Sequence, residues 1–292
     1  MDMWGKGTEE DFFRKSLKTN SPEKLFYETE AGKKYIAYWP KSYSGKKLTL
    51  QSRNSIIGNF TEKWSRELLD PIAKERGLYS INGVVSEQIE LSTNSPADVA
   101  LCETNGTQQQ PESIKAIFEV KMSVVWNWSY KLMENETSLN CVGDYKTHTG
   151  NPGLLRSDSM LKAIGKAVGI RTASPLSAQI PIVILGNTPI QPSYYKKVDM
   201  LKRLGIIQGF WSVNPKPLDD STRDMKTTEG FGFIRMDNYG ELQDHVKELL
   251  SNDKEFFAGM EDREKLGKII EIANQELTYE SKALKFLEML RS

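Results

Sequence analysis

The chain is short of the residues on which many catalytic sites are built. Among its 292 residues are only two cysteines, Cys102 and Cys141, and two histidines, His148 and His245. Neither cysteine has a second Cys or His at zinc-ligand spacing, which excludes zinc fingers and ribbons. In a reducing cytosol the two are expected as buried thiols rather than a disulfide. With two histidines, neither in a recognisable motif, Ser-His-Asp and Cys-His catalysis has little to work with. Walker A and the Rossmann glycine pattern are both missing. No stretch approaches the roughly 20 apolar residues of a membrane helix. Met1 to Glu10 holds no apolar run of the secretory kind, so a cytoplasmic protein without a membrane partner is expected. Net charge is also lacking, since 39 Lys and Arg match 39 Asp and Glu.

What is present is a globular balance of 38% hydrophobic and 27% charged residues, with length enough for a buried core. Neither an internal repeat nor a long low-complexity linker divides the chain. One elaborated domain over 1–292 is therefore expected, with an N-terminal arm (1–53), a central core (54–235) and a C-terminal helical region (236–292). In the arm a short helix, a strand and a polar loop ending at Arg53 are expected. A helix from about Asn54 buries Ile57, Phe60, Trp64 and Leu68 at three- and four-residue spacing, is broken or restarted by Pro71 and ends at Gly77. Strand character follows over 81–91, 97–102 and 114–128, with a long connection over 104–113. Residues 134–156 are polar and turn-rich. A second helix is expected from an N-capping Ser157 to Ile170, burying Leu161, Ile164 and Val168. Ile180 to Leu185 reads as a strand buried on both faces, followed by a helix over 194–204 and a strand over 206–213. Beyond Tyr239 the chain turns helical and acidic, with Leu266, Ile269, Ile270 and Ala273 on one face. Helix, three strands, helix, strand implies an α/β fold with a mixed central sheet flanked by helices.

The chemistry concentrates in two strands. Asp98 lies just after Ser95-Pro96, and Glu119 and Lys121 sit two apart in the longest apolar strand, so both project from one face. Such a charged pair costs several kcal/mol unless a salt bridge, a metal or solvent compensates it. If the two strands are neighbours, both carboxylates converge on one cation beside Lys121, a donor set suited to Mg²⁺. Acid-x-Lys occurs four times, at Glu119, Asp144, Asp224 and Glu280, but only the Glu119 copy sits in a β-branched, aromatic run after a strand carrying a proline-proximal Asp. A structural Glu–Lys pair at a sheet end is the plainer reading of the same residues.

Pro96-Ala97-Asp98, twenty residues, then Glu119-Val120-Lys121 resembles the signature of the PD-(D/E)XK nuclease superfamily, with the Asp two positions after the proline instead of adjacent. The resemblance covers about residues 54–190, and the size and elaborated arms look most like a type II restriction endonuclease. It implies a restriction-endonuclease-like core, with 54–235 as catalytic core, and Mg²⁺-dependent cleavage of double-stranded DNA at a specific sequence. Asp98 and Glu119 would hold the metal, the Val120 carbonyl would be a further ligand, and Lys121 would orient or activate the attacking water. Family members often place another acid on the helix before the first strand, a description that Glu62 fits; an exposed Glu62 pairing with Arg66 is the alternative. A homodimer and a companion DNA methyltransferase are also implied. A repair nuclease or junction resolvase shares the chemistry. Rivals outside it are a glycoside hydrolase using the same carboxylates and a non-catalytic DNA-binding or interaction module.

The neutral total hides a segregation. Residues 1–57 carry 11 basic and 7 acidic groups and residues 121–235 carry 15 and 9, whereas 58–120 carry 5 and 10 and 236–292 carry 8 and 13. A local basic cleft is therefore compatible with zero net charge. Lys146, His148, Asn151 and Arg156, among the glycines of 140–156, are candidate DNA-binding residues, as are Lys162 and Lys166 one turn apart on the next helix. Each has an ordinary surface residue as its alternative. Trp126 and Trp128 are expected in the core rather than stacked on bases.

Overall fold

A computed structural model describes residues 2–46, 49–133, 136–220, 225–251, 254–255 and 261–291. In chain order the elements are α1 (Lys6–Ser16), β1 (Tyr27–Glu30), β2 (Lys34–Ile36), α2 (Gln51–Glu75), β3 (Tyr79–Val84), β4 (Ala97–Cys102), β5 (Ile114–Lys121), β6 (Asn127–Leu132) and β7 (Thr137–Gly143). Then follow α3 (Ser157–Ala173), β8 (Ile182–Gly186), α4 (Tyr195–Arg203), β9 (Gly209–Ser212), β10 (Phe233–Arg235), α5 (Tyr239–Leu249), β11 (Lys254–Glu255), β12 (Glu261–Asp262), α6 (Arg263–Ala273) and α7 (Tyr279–Arg291).

The fold is α/β. A six-stranded mixed sheet runs in the order β10-β9-β8-β5-β4-β3, antiparallel from β3 to β5 and parallel from β5 to β10. A separate antiparallel sheet has the order β1-β2-β6-β7. The central strands are buried on both faces, as the apolar run of β8 requires. One face packs a core with α1, α2, α5 and the smaller sheet, including Phe12, Phe13, Leu69, Phe118 and Trp128. The other packs α3 and α4 through Met160, Ala163, Ala167, Ile170 and Val198. Among the described residues no helix is long and apolar enough to cross a membrane.

Several local expectations are corrected. α2 runs unbroken through Pro71, which is exposed, so water can serve the carbonyl that has lost its N–H partner. It ends as expected at Gly77, where φ of +69° and the Leu78 N–H to Ala73 carbonyl bond close a left-handed cap. The segment 81–91 is strand only as far as Val84 and then a short 3-10 turn over Glu87–Ile89. The run 114–128 splits between two sheets, because β5 stops at Lys121 and β6 pairs with β2 and β7 instead. Part of the turn-rich stretch is strand β7, whose alternating half-exposed side chains left little hydrophobic signal. Ser157 is the first residue of α3, with Arg156 at the cap position. That helix buries Met160, Ala163, Ala167 and Ile170, while Leu161 is 61% and Val168 37% exposed; small residues let the helix lie close to the sheet. On α6, Ile269 and Ala273 are buried but Ile270 is exposed.

The arm is fastened through one carboxylate. Glu9 on α1 is fully buried and accepts from the backbone N–H groups of Val125 (2.6 Å) and Trp126 (3.1 Å) and from the indole N–H groups of Trp128 (2.9 Å) and Trp4 (3.2 Å). Trp126 and Trp128 are core residues, as expected.

Candidate active site

The register of the sheet brings the site together. β4 pairs antiparallel with β5 so that Val99 faces Phe118 and Ala100 faces Ile117; one step further, Asp98 lies opposite Glu119. Alternation then turns Asp98, Glu119 and Lys121 to the face covered by α3. The backbone N–H of Val120 donates to Asp98 Oδ2 at 2.7 Å, which aims that carboxylate along β5. Asn82 on β3 donates to the carbonyls of Asp98 (2.8 Å) and Glu62 (2.9 Å), tying α2 to the edge of the site.

Two ammonium groups bridge the carboxylates. Lys121 Nζ stands 2.5 Å from Glu119 Oε1 and 3.5 Å from Asp98 Oδ2. Lys166 Nζ, from α3, stands 2.6 Å from Glu119 Oε2 and 3.7 Å from Asp98 Oδ1, and donates to the Pro96 carbonyl at 2.7 Å. All four side chains are at least four-fifths buried, so these pairs are formed away from solvent.

The electrostatics follow from that crowding. Burial and the Glu119 charge raise the pKa of Asp98 above the usual carboxylate range. Burial works against ionisation of Glu119 as well, but Lys121 and Lys166 outweigh it and hold its pKa low. Burial opposes the Lys121 charge, and Glu119 and Asp98 overcome it, so Lys121 stays charged. Glu62 is half-buried on α2, and burial together with the Asp98 charge pushes its carboxyl up to about 7. Arg66 pairs with Glu67, so the alternative of an exposed Glu62–Arg66 pair is not realised. Three carboxyls thus face two ammonium groups.

The end of β5 is held rigidly. Asn187, fully buried after β8, donates to the Ser123 carbonyl at 2.7 Å and accepts from its N–H at 3.2 Å. Gly153 packs against the same point with φ of +51°; a Cβ there would lie 3.2 Å from the Lys121 carbonyl and 2.9 Å from Thr188 Oγ1.

A groove of about 470 Å³ opens beside the cluster, lined in part by Val120, Lys121, Gly153, Arg156, Asp158 and Lys162. It shares Thr49, Asn54, Ser123, Arg156 and Asp158 with a neighbouring groove of about 410 Å³ that adds Tyr27, Tyr38, Trp39 and Asn151. A larger cavity of about 700 Å³, near Leu78, Pro111 and Leu249, contains none of the charged cluster.

Of the candidate DNA-binding residues, Arg156, Lys162 and Asn151 line these grooves. Arg156 and Lys162 both pair with Asp158, at 3.4 and 3.2 Å. Lys146 is exposed but lines neither groove. His148 departs from both of its expected surface roles. It is buried against Tyr38 with ring centroids 4.0 Å apart, its Nε2 donates to the Val125 carbonyl, and its Nδ1 accepts from the Gly150 N–H. Burial pulls its pKa down to about 4, so it is a neutral structural residue with no ring nitrogen left for DNA. Lys166, expected along the DNA backbone, belongs to the charged cluster instead. A signal for this was present: Lys166 lies between Ala163, Ala167 and Ile170, on the buried stripe of α3.

Comparison with known proteins finds no matching family model, no similar curated protein and no similar solved structure.

Proposed function

We propose that the chain is a Mg²⁺-dependent endonuclease of the PD-(D/E)XK kind, acting on double-stranded DNA in the manner of a type II restriction enzyme. The observation that carries this reading is the meeting of Asp98, Glu119 and Lys121, of which Lys121 lines a groove that Arg156 and Lys162 also line. The order α2-β3-β4-β5-α3-β8, with a β6–β7 hairpin inserted, supports the restriction-endonuclease-like core that the sequence motif implies. A glycoside hydrolase is disfavoured, because both carboxylates are engaged by lysines rather than disposed as an acid and a nucleophile around a sugar site.

The residues fit a divalent cation. Among the described residues no three Asp, Glu, His or Cys side chains gather as a self-sufficient metal cage. Mg²⁺ needs none, since it keeps several waters and takes one or two carboxylates. Ammonium groups already stand within 3.7 Å of oxygens on both carboxylates, so the space between them is one in which positive charge is held. Asp98 and Glu119 would hold the ion, with the Val120 carbonyl beside them and Glu62 as an outer acid. When bound, the metal supplies Lewis-acid stabilisation of the phosphate and a bound water of lowered pKa. Lys121 keeps its proton, orients the attacking water and offsets charge growing on the phosphate. Arg156 and Lys162 position the backbone without reading sequence.

Plasmid digestion with Mg²⁺ tests the reading. Discrete, reproducible fragments that disappear with Asp98→Ala support a restriction enzyme, which would also form the homodimer and have the companion methyltransferase of that class. Structure-dependent nicking points to a repair nuclease or resolvase. Metal-independent DNA binding without cleavage under any divalent ion overturns the nuclease and leaves a binding module.

A further inference from the structure

We infer that Lys166 is an internal counter-cation that competes with the divalent ion for Asp98 and Glu119, so that the metal enters only by displacing its ammonium group. The inference rests on reading those two carboxylates as cation ligands. Lys166 does not approach the site casually. Its Nζ lies 2.6 Å from Glu119 Oε2 and 3.7 Å from Asp98 Oδ1, and it is braced by the Pro96 carbonyl at 2.7 Å, two residues before Asp98. It therefore takes the carboxylate oxygens that Lys121 leaves, since Lys121 engages Oε1 of Glu119 and Oδ2 of Asp98.

Two neighbouring buried carboxylates repel each other and lose hydration, so keeping both ionised in the folded protein requires positive charge between them. Lys121 alone provides one charge for two. Lys166 provides the second while no metal is bound, and becomes one cation too many when a divalent ion arrives. Two cations cannot contact the same oxygens without several kcal/mol of repulsion at protein dielectric. Lys162, one turn earlier, has no such role: it is exposed and pairs with Asp158. Lys166 is thus a positioning residue that keeps the two carboxylates aligned before loading and sets the cation affinity.

A lysine serving only the fold would, if removed, loosen the ligands and weaken cation binding. A competing lysine gives the opposite sign. The test is Mn²⁺ binding to the full chain without DNA, followed by the electron-spin-resonance signal of free Mn²⁺, with Asp98→Asn as the control that loses binding. Lys166→Met and Lys166→Gln are expected to bind Mn²⁺ about ten- to a hundredfold more tightly than the unaltered chain, and to gain more in melting temperature on its addition. A variant that folds only when Mn²⁺ is present also supports displacement. Unchanged or weaker affinity, a variant that Mn²⁺ cannot restore, or an unaltered chain that binds no Mn²⁺ overturns it. Plasmid cleavage run in parallel separates the two readings. Cleavage by the unaltered chain, with no tightening in the variants, removes the competition alone. Tightening without any cleavage removes the nuclease alone.

Discussion

Asp98 Oδ2 accepts at 2.7 Å from the backbone N–H of Val120, the residue between Glu119 and Lys121. One carboxylate therefore orients both charged side chains of the neighbouring strand, and the charge and the hydrogen bond of Asp98 can be separated by substitution. Asp98→Asn retains an oxygen for the Val120 N–H but loses the charge. Cleavage in Mg²⁺ is expected to fall by about a hundred- to a thousandfold, the order seen when one key electrostatic contact is removed. DNA binding in Ca²⁺ should change little. Single-turnover cleavage and gel-shift titration check the two halves, and cleavage within tenfold of the unaltered protein would remove Asp98 from the site.

Gly153 is the tightest backbone contact beneath Lys121. Alanine would have to adopt a φ of +51° while its Cβ pressed on the Lys121 carbonyl, Asn187 Oδ1 and Thr188 Oγ1. Gly153→Ala is expected to cost about 1–2 kcal/mol in stability from the left-handed conformation alone. Cleavage should fall with it, because the strain is relieved by moving the end of β5. Urea denaturation and single-turnover rates measure both, and a variant of full stability would show that this contact is slack.

Glu9 makes stability depend on pH. Its pKa rises from 4.5 in the unfolded chain to about 7 in the fold, driven by burial and opposed by its four N–H donors. A raised folded pKa means that the contribution is complete below about pH 4.5 and is lost as pH rises through about 7. The loss amounts to roughly 3 kcal/mol. Glu9→Gln should be less stable at pH 5, since its amide faces N–H donors, yet its stability should fall less between pH 5 and 8. Denaturation midpoints across that range check the slope, and parallel curves for the two proteins would refute it.

His148 acts in the opposite direction. Burial lowers its pKa from 6.5 to about 4. Its contribution is complete above about pH 6.5 and is lost as pH falls through about 4, again worth roughly 3 kcal/mol. His148→Gln should flatten the acid limb of the stability profile while leaving DNA affinity unchanged. A fall in DNA affinity at constant stability would return His148 to the groove.

The primary structure by itself determined the α/β class, the order of the main helices and strands, and the pairing of Glu119 with Lys121, because apolar periodicity and strand alternation are local properties. It marked Asp98 through its strand and nearby Pro96, and left Glu62 and Lys162 as helix positions open to more than one reading. Only the tertiary structure decided which charges meet. Lys166 stands 47 residues after Glu119 and reaches its carboxylate because α3 packs on the sheet with small residues. Glu9, amid the polar run Glu9-Glu10-Asp11, gives no local sign that four N–H donors from Trp4 and residues 125–128 await it. His148 is buried for the same kind of reason, by stacking on Tyr38 from the arm. Burial of a charged or polar group is set by partners distant in sequence, since its desolvation must be met by whichever donors, acceptors and countercharges the fold assembles around it.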